Sequence, residues 1–165
     1  MAHREHKAEA KKAVSCVVVT CSDTRDESTD ESGKLIQELL RSAGHSIDGY
    51  RVLKDEPAQI AAFVREQLGR AGAVIVNGGT GISPRDSTFE AIDAMLEKRL
   101  PGFGELFRML SYQEIGAPAM LSRATCGVVK GTVVFSLPGS KNAVGLAMNK
   151  LILPELAHLA HQARK

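Results

Sequence analysis

The sequence predicts an α/β domain of three layers, with helices on both faces of a mostly parallel central sheet that contains an antiparallel strand. Three observations carry this expectation. Strand-length apolar runs alternate with helical stretches along the 165 residues, a glycine-rich turn closes the third run, and the last two runs are separated by a turn too short for a crossover.

The first strand is read over residues 14–20, followed by a polar loop through Asp30. Residues 31–43 form a helix in which Leu35, Ile36, Leu39 and Leu40 gather on one side, and Gly44 stands where a helix-ending glycine belongs. Residues 47–53 alternate as a strand does. A helix over 56–68 then tolerates Pro57 in its first turn, where a missing N–H costs nothing. Val74, Ile75 and Val76 make a run too brief for a helix, ended abruptly by Asn77, Gly78 and Gly79. Helices over 87–97 and 104–114, strands over 124–129 and 132–136, and helices over 141–151 and 155–162 complete the series. The turn at Gly131 makes the last two strands a hairpin, so one strand runs against the others.

The segment VIVNGGTGISPRDSTFE at 74–90 has the layout of a phosphate site. Adjacent glycines let main-chain N–H groups approach a ligand, Thr80 adds a hydroxyl, Gly81 keeps the turn tight, and Asp86, Ser87 or Thr88 is placed to cap the next helix. Neither common nucleotide fingerprint is present. No Gly-Lys-Ser/Thr ends the loop, and its glycines miss the dinucleotide spacing. In an alternating series, ligands bind at the carboxyl ends of the strands, which brings together the loops 22–30, 54–56, 77–86 and 137–141. Asp55 and Asp86 supply hard oxygen ligands there, and glycine amides with Lys141 supply phosphate donors, a combination suited to Mg²⁺ with a nucleotide.

Composition is consistent with one soluble enzyme-sized domain over 14–165. The formal charge of +2 resides in a basic tail over 1–13, read as a solvated leader without a nucleic-acid role. No apolar stretch approaches the ~20 residues of a membrane span, and the charged N-terminus is unlike a signal peptide, so a cytoplasmic location is expected. Cys16, Cys21 and Cys126 read as reduced structural thiols without zinc-site spacing.

The GGTG and RD residues of the glycine loop resemble the signature of the molybdopterin adenylyltransferase family, the MogA and MoaB proteins of molybdenum cofactor synthesis. VVVTCSDTRDESTDESGKLI at 17–36, LKDEP at 53–57, PGFGELFRMLSYQEIG at 101–116, LSR at 121–123 and SLPGSKNAV at 136–144 resemble the family in the same order. The FRMLSYQEIG and LPGS wording is closer to the MoaB-type branch. The resemblance implies the molybdopterin-binding fold and Mg²⁺-dependent transfer of AMP from ATP to molybdopterin. A binding-only or scaffold role in the same pathway is the alternative. It also implies a homotrimer or homohexamer and a downstream molybdenum-insertion protein as partner.

The family's two essential acidic positions fall on Asp55 and Asp86, which the resemblance makes catalytic and metal-binding. Read alone, each is equally placed to cap the helix that follows it. Ser22 and Asp23 resemble the nucleotide-side loop, while Pro138, Gly139 and Ser140 match the loop the family uses around the pterin, although Ser140 is also a candidate cap. Arg85 is read as a phosphate counter-charge, Glu90 as orienting the loop or the nucleotide, and Arg123 as within reach of an anion. Surface ion pairs are the alternative for all three. Phe103, Leu106, Phe107 and Leu110, flanked by Met109 and Tyr112, form a helix face that one subunit does not fully cover, or else an internal core helix.

Overall fold

The strands are β1 Ser15–Cys21, β2 Ser46–Leu53, β3 Ala73–Asn77, β4 Lys98–Arg99, β5 Thr125–Val129 and β6 Thr132–Leu137. They belong to a computed structural model that describes residues 12–165, so the tail expected over 1–13 lies, apart from Lys12 and Ala13, outside the described residues. The strands form one sheet in the order β2-β1-β3-β6-β5-β4. β2, β1, β3 and β6 pair in parallel, and β5 pairs antiparallel with both β6 and β4. β5 is therefore the strand that runs against the rest. Lys130 (φ 48°) and Gly131 (φ 75°) make its hairpin, both in the left-handed region that a two-residue type I′ turn requires.

β3 and β6 are buried throughout and β1 nearly so, the continuous apolar character of strands covered on both faces. The helices are α1 Glu31–Ser42, α2 Pro57–Gln67, α3 Thr88–Asp93, α4 Pro101–Ile115, α5 Lys141–Ala147 and α6 Leu153–Ala163. One face carries Ile36, Leu40, Phe107, Val144 and Leu156 from α1, α4, α5 and α6 against Val18, Ile75 and Phe135. The other packs Ile60, Val64 and Ile92 from α2 and α3 onto Val17, Val19, Val74, Val76 and Val134. That is the three-layer arrangement. None of the described helices is long and apolar enough to cross a membrane.

Three elements differ from their sequence reading. The helix expected over 87–97 stops at Asp93, because the chain beyond it is drawn to the sheet edge. There Glu97 N–H donates to Val128 O (3.1 Å), Leu100 N–H to Cys126 O (2.8 Å), and Lys98–Arg99 becomes β4. Arg99 secures this corner with Nε on Asp93 Oδ1 (2.8 Å) and Nη2 on Asp93 O (3.0 Å). α4 begins at Pro101, three residues before its expected start, since Pro suits a first turn. The two C-terminal helices are joined through a π turn, Met148–Ile152. Pro154 has no amide and its ring crowds the carbonyl four residues back, and the wider turn gives that ring room without ending the helix.

α1 leaves β1 toward one face, whereas α3 leaves the adjacent β3 toward the other. Between the ends of those two strands the chain diverges, which is the position where sheets of this kind bind ligands.

Candidate functional site

The loops that follow β1, β2, β3 and β6 leave the same edge of the sheet, since those four strands are parallel. Hydrogen bonds join them into one surface. Asp23 N–H donates to Asp55 Oδ2 (3.0 Å) and Asp55 N–H returns a bond to Asp23 Oδ1 (3.1 Å), locking the loop after β1 to the loop after β2. Lys54 Nζ adds a bond to Asp23 O (3.1 Å). Gly139 O receives both Arg25 Nη1 (2.9 Å) and Ser32 Oγ (2.7 Å), and Gly78 N–H donates to Leu137 O (2.9 Å), which brings in the loops after β3 and β6.

Neither aspartate caps a helix. Glu56 occupies the cap position of α2 without a side-chain cap bond, and Ser87 does the same for α3. Asp86 Oδ2 instead accepts from Ser83 N–H (3.0 Å) and Ser83 Oγ (2.6 Å), which closes the loop on itself. Asp55 Oδ2 is held by Asp23, while Asp55 Oδ1 is buried without a partner. Partial burial raises the Asp55 pKa most, the Asp23 charge adds to it, the Asp23 amide and Arg85 oppose it, and the Asp86 charge makes the smallest contribution, in the raising direction. Asp23 shifts in the opposite direction, lowered by the Arg85 guanidinium and by the Asp55 amide.

The glycines are required by close approach. Gly78 has φ 104°, and a Cβ there would lie 2.1 Å from Cys21 O; Gly79 has φ 64°, and a Cβ would lie 2.2 Å from Thr88 Oγ1. Gly81 would bring its Cβ to 2.7 Å from Asp86 Oδ2. Among the described residues the amides of Gly79, Thr80 and Gly81 donate to no protein group, so they remain as donors for a ligand. The helix dipole contributes less than the sequence suggested, because α3 is only six residues long.

Several side chains have more local duties than expected. Arg85 places Nε on Asp23 Oδ2 (3.0 Å) and Nη2 on Asp23 Oδ1 and Glu56 Oε1 (3.0 Å each), so in the free protein its charge is met by carboxylates. Ser22 Oγ accepts from the amides of Thr24 (3.2 Å) and Arg25 (3.1 Å), shaping the first loop. Ser140 is the cap of α5, accepting from Ala143 N–H (3.2 Å), and Lys141 is exposed beside it. Pro138 and Gly139 lie against the glycine loop, where a Gly139 Cβ would come 3.2 Å from Gly78 Cα. Glu90 is paired with Arg123. Cys21, Cys16 and Cys126 are buried free thiols, and burial raises Cys21 to a pKa of about 12, as an inert packed thiol requires.

Two residues gained importance that sequence reading did not give them. Asn77 is buried and donates through Nδ2 to Val19 O (3.1 Å) and Thr20 Oγ1 (2.8 Å), tying β1 to β3 beneath the site. An amide ending a buried apolar run was its signal. Arg123 makes the ion pair that was its alternative reading, with Glu90, and in addition donates to the glycine loop's carbonyls, for which the sequence offered no signal.

The family described as "Probable molybdopterin binding domain" matches residues 17–158, most of the chain. The chain belongs to that family. It is 54% identical over 171 residues to "Molybdenum cofactor biosynthesis protein B" of Bacillus subtilis, covering 100% of this chain and 99% of that protein. A crystal structure of a molybdenum cofactor biosynthesis protein B is 52% identical with a TM-score of 0.89, covering 93% of this chain and 97% of the other. The tungsten cofactor synthesizing protein MoaB of Pyrococcus furiosus is 37% identical with a TM-score of 0.85, covering 93% and 99%. This molybdopterin-binding-family chain thus has the MoaB/MogA fold.

Proposed function

We propose that this protein acts in molybdenum cofactor biosynthesis as a cytoplasmic molybdopterin adenylyltransferase, transferring AMP from ATP to the terminal phosphate of molybdopterin. The observation that carries the reading is the buried, unpartnered Asp55 Oδ1 beside the charge of Asp86 and the unused glycine-loop amides. Bound by Asp55 and Asp86 together with phosphate oxygens and water, Mg²⁺ would neutralise charge on the transferring phosphoryl group. An orphaned carboxylate oxygen fits this role. The described residues hold no three-residue cluster of metal-ligating side chains, and Mg²⁺ needs only one or two carboxylates when phosphates complete its shell.

In this reading a molybdopterin phosphate oxygen forms the new bond to the α-phosphorus of ATP, and the bond between the α-phosphorus and the bridging oxygen breaks to release pyrophosphate. The protein's work is positioning: the amides of Gly79, Thr80 and Gly81 receive phosphate oxygens, and the Asp23–Asp55 lock fixes the acidic side of the site. No side chain need become a nucleophile. The exposed Leu106, Met109 and Tyr112 of α4 support assembly as a homotrimer or homohexamer, and a downstream molybdenum-insertion protein would receive the product.

Incubation of the purified chain with ATP, Mg²⁺ and molybdopterin is the test. Magnesium-dependent appearance of adenylylated molybdopterin with an equal amount of pyrophosphate supports the reading. Molybdopterin bound but never adenylylated would replace it with a binding or scaffold role.

A further inference from the structure

We infer that Arg123 is a positioning residue that aims the amides of the glycine loop at a phosphate-bearing ligand. This rests on the phosphate-binding reading above and adds to it a residue that touches no ligand. Arg123 precedes β5, far along the chain from the loop, yet its guanidinium donates to three loop carbonyls: Nε to Thr80 O (3.2 Å), and Nη2 to Gly81 O and to Asp86 O (3.1 Å). Its own amide also donates to Thr80 O (3.3 Å). Both ends of the loop are therefore held from one side chain.

The consequence follows from peptide geometry. In a planar trans peptide the C=O and the next residue's N–H point in opposite directions. Anchoring the carbonyls of Thr80, Gly81 and Asp86 on Arg123 thereby turns the amides of Gly81, Ile82 and Ser87 away from it. Among the described residues none of those three amides donates to a protein group. A cation on one side of the loop thus leaves donors displayed on the other, the arrangement an anion needs.

The clamp is itself held. Glu90 pairs with Nη1 and accepts Nη2 at 3.4 Å, the Phe89 ring lies 5.0 Å from the guanidinium carbon, and the side chain keeps 28% of its exposure. Glu90 and Phe89 belong to α3, directly after the loop, so the loop, its helix and the strand-leading segment at 121–124 are fixed as one unit. A lysine has a single charged nitrogen and cannot span three carbonyls in one plane.

The test compares Arg123→Met, Arg123→Lys and Glu90→Gln with wild type by two measurements. Hydrogen exchange read by mass spectrometry on the peptide spanning 78–90 needs no ligand. Faster exchange in that peptide, and at the residue-123 amide that Thr80 O accepts, is expected in Arg123→Met, with a smaller change in Glu90→Gln, which keeps the guanidinium. Mg·ATP binding by calorimetry and the kinetics of AMP transfer form the second. The Kd and KM for ATP should rise about tenfold or more while kcat changes much less, and Arg123→Lys should restore little of the loss. If Arg123→Met does not fold, Glu90→Gln carries both measurements. Unchanged exchange across 78–90, or an equal fall in kcat with an unaltered KM, overturns the inference. A wild type that binds no Mg·ATP overturns the phosphate reading on which it rests, and exchange then still decides whether Arg123 holds the loop.

Discussion

Replacing Asp55 by Asn should slow turnover by about two orders of magnitude without weakening the fold. Asn keeps the shape and an oxygen that accepts the Asp23 amide now bonded to Asp55 Oδ2 at 3.0 Å, so the link between the first two loops survives. Its amide nitrogen falls where the buried, unpartnered Oδ1 lies, and a buried unmade donor costs about 1–3 kcal/mol. The carboxylate it replaces is also unsatisfied there, and it is charged and opposed by both Asp23 and Asp86. The sign follows from linkage. Asp55 has its folded pKa raised above the unfolded value, so the folded state binds the proton more tightly and the penalty on the ionised form is present at neutral pH. It disappears as pH falls below the unfolded carboxylate range. Asn has no such penalty at any pH.

Urea denaturation at pH 7 should therefore show Asp55→Asn at least as stable as wild type, with the difference shrinking in acid. AMP transfer should fall by about two orders of magnitude, from loss of about 3 kcal/mol of charge stabilisation in the transition state. The reasoning fails if the variant turns over like wild type, or if it loses stability at pH 7 as a helix lacking its cap would.

Three further outcomes follow from the same geometry. Asp23→Asn removes a charge that raises Asp55 and releases Arg85, so the Asp55 pKa should fall and the acid limb of kcat/KM should move to lower pH; a limb that stays put or rises excludes the coupling. Gly79→Ala places a Cβ 2.2 Å from Thr88 Oγ1 at φ 64° and should cost about 1–3 kcal/mol in urea denaturation, part of it recovered by adding Thr88→Ala; a cost the second change leaves untouched would show that the contact is not its source. Sedimentation equilibrium at micromolar concentration should give a trimer or hexamer that dissociates in Met109→Glu, whose wild-type side chain is 50% exposed on α4; a monomeric wild type rejects the assembly.

The central strands and the glycine loop were legible because their signals are local. A run of Val74, Ile75 and Val76 closed by Asn77-Gly78-Gly79 admits few other structures, and parallel strands then bring the loops containing Asp23, Asp55, Gly79 and Gly139 to one edge. What escaped was decided by distant partners. Residues 94–99 have helical neighbours on both sides, but the exposed edge of β5 draws Lys98 and Arg99 into the sheet. The capping reading of Asp55 failed for a similar reason: the Asp23 amide, 32 positions away, outcompetes the helix start for that carboxylate. Ser140 went the opposite way, with local capping prevailing. A guanidinium's partners, as at Arg85 and Arg123, depend on which loops the fold brings within its reach, and no window of sequence contains that.

The topology also accounts for how the site divides its labour. α1 and α5 leave β1 and β6 on one face, while α3 leaves the intervening β3 on the other, so the glycine loop departs from both neighbours at the centre of the sheet. It starts in close quarters, with Gly78 against the Cys21 carbonyl on one side and against Gly139 on the other. Side chains are excluded at that contact, so the floor of the site presents main chain, which attracts anions without distinguishing one phosphate from another. Discrimination must then come from the walls. The acidic wall of Asp23, Asp55 and Glu56 is bridged to the glycine loop by Arg85, the residue just before Asp86. A substitution on the floor should therefore weaken every phosphate ligand alike, whereas a change at Asp23 or Arg85 should alter which phosphate ligand is preferred.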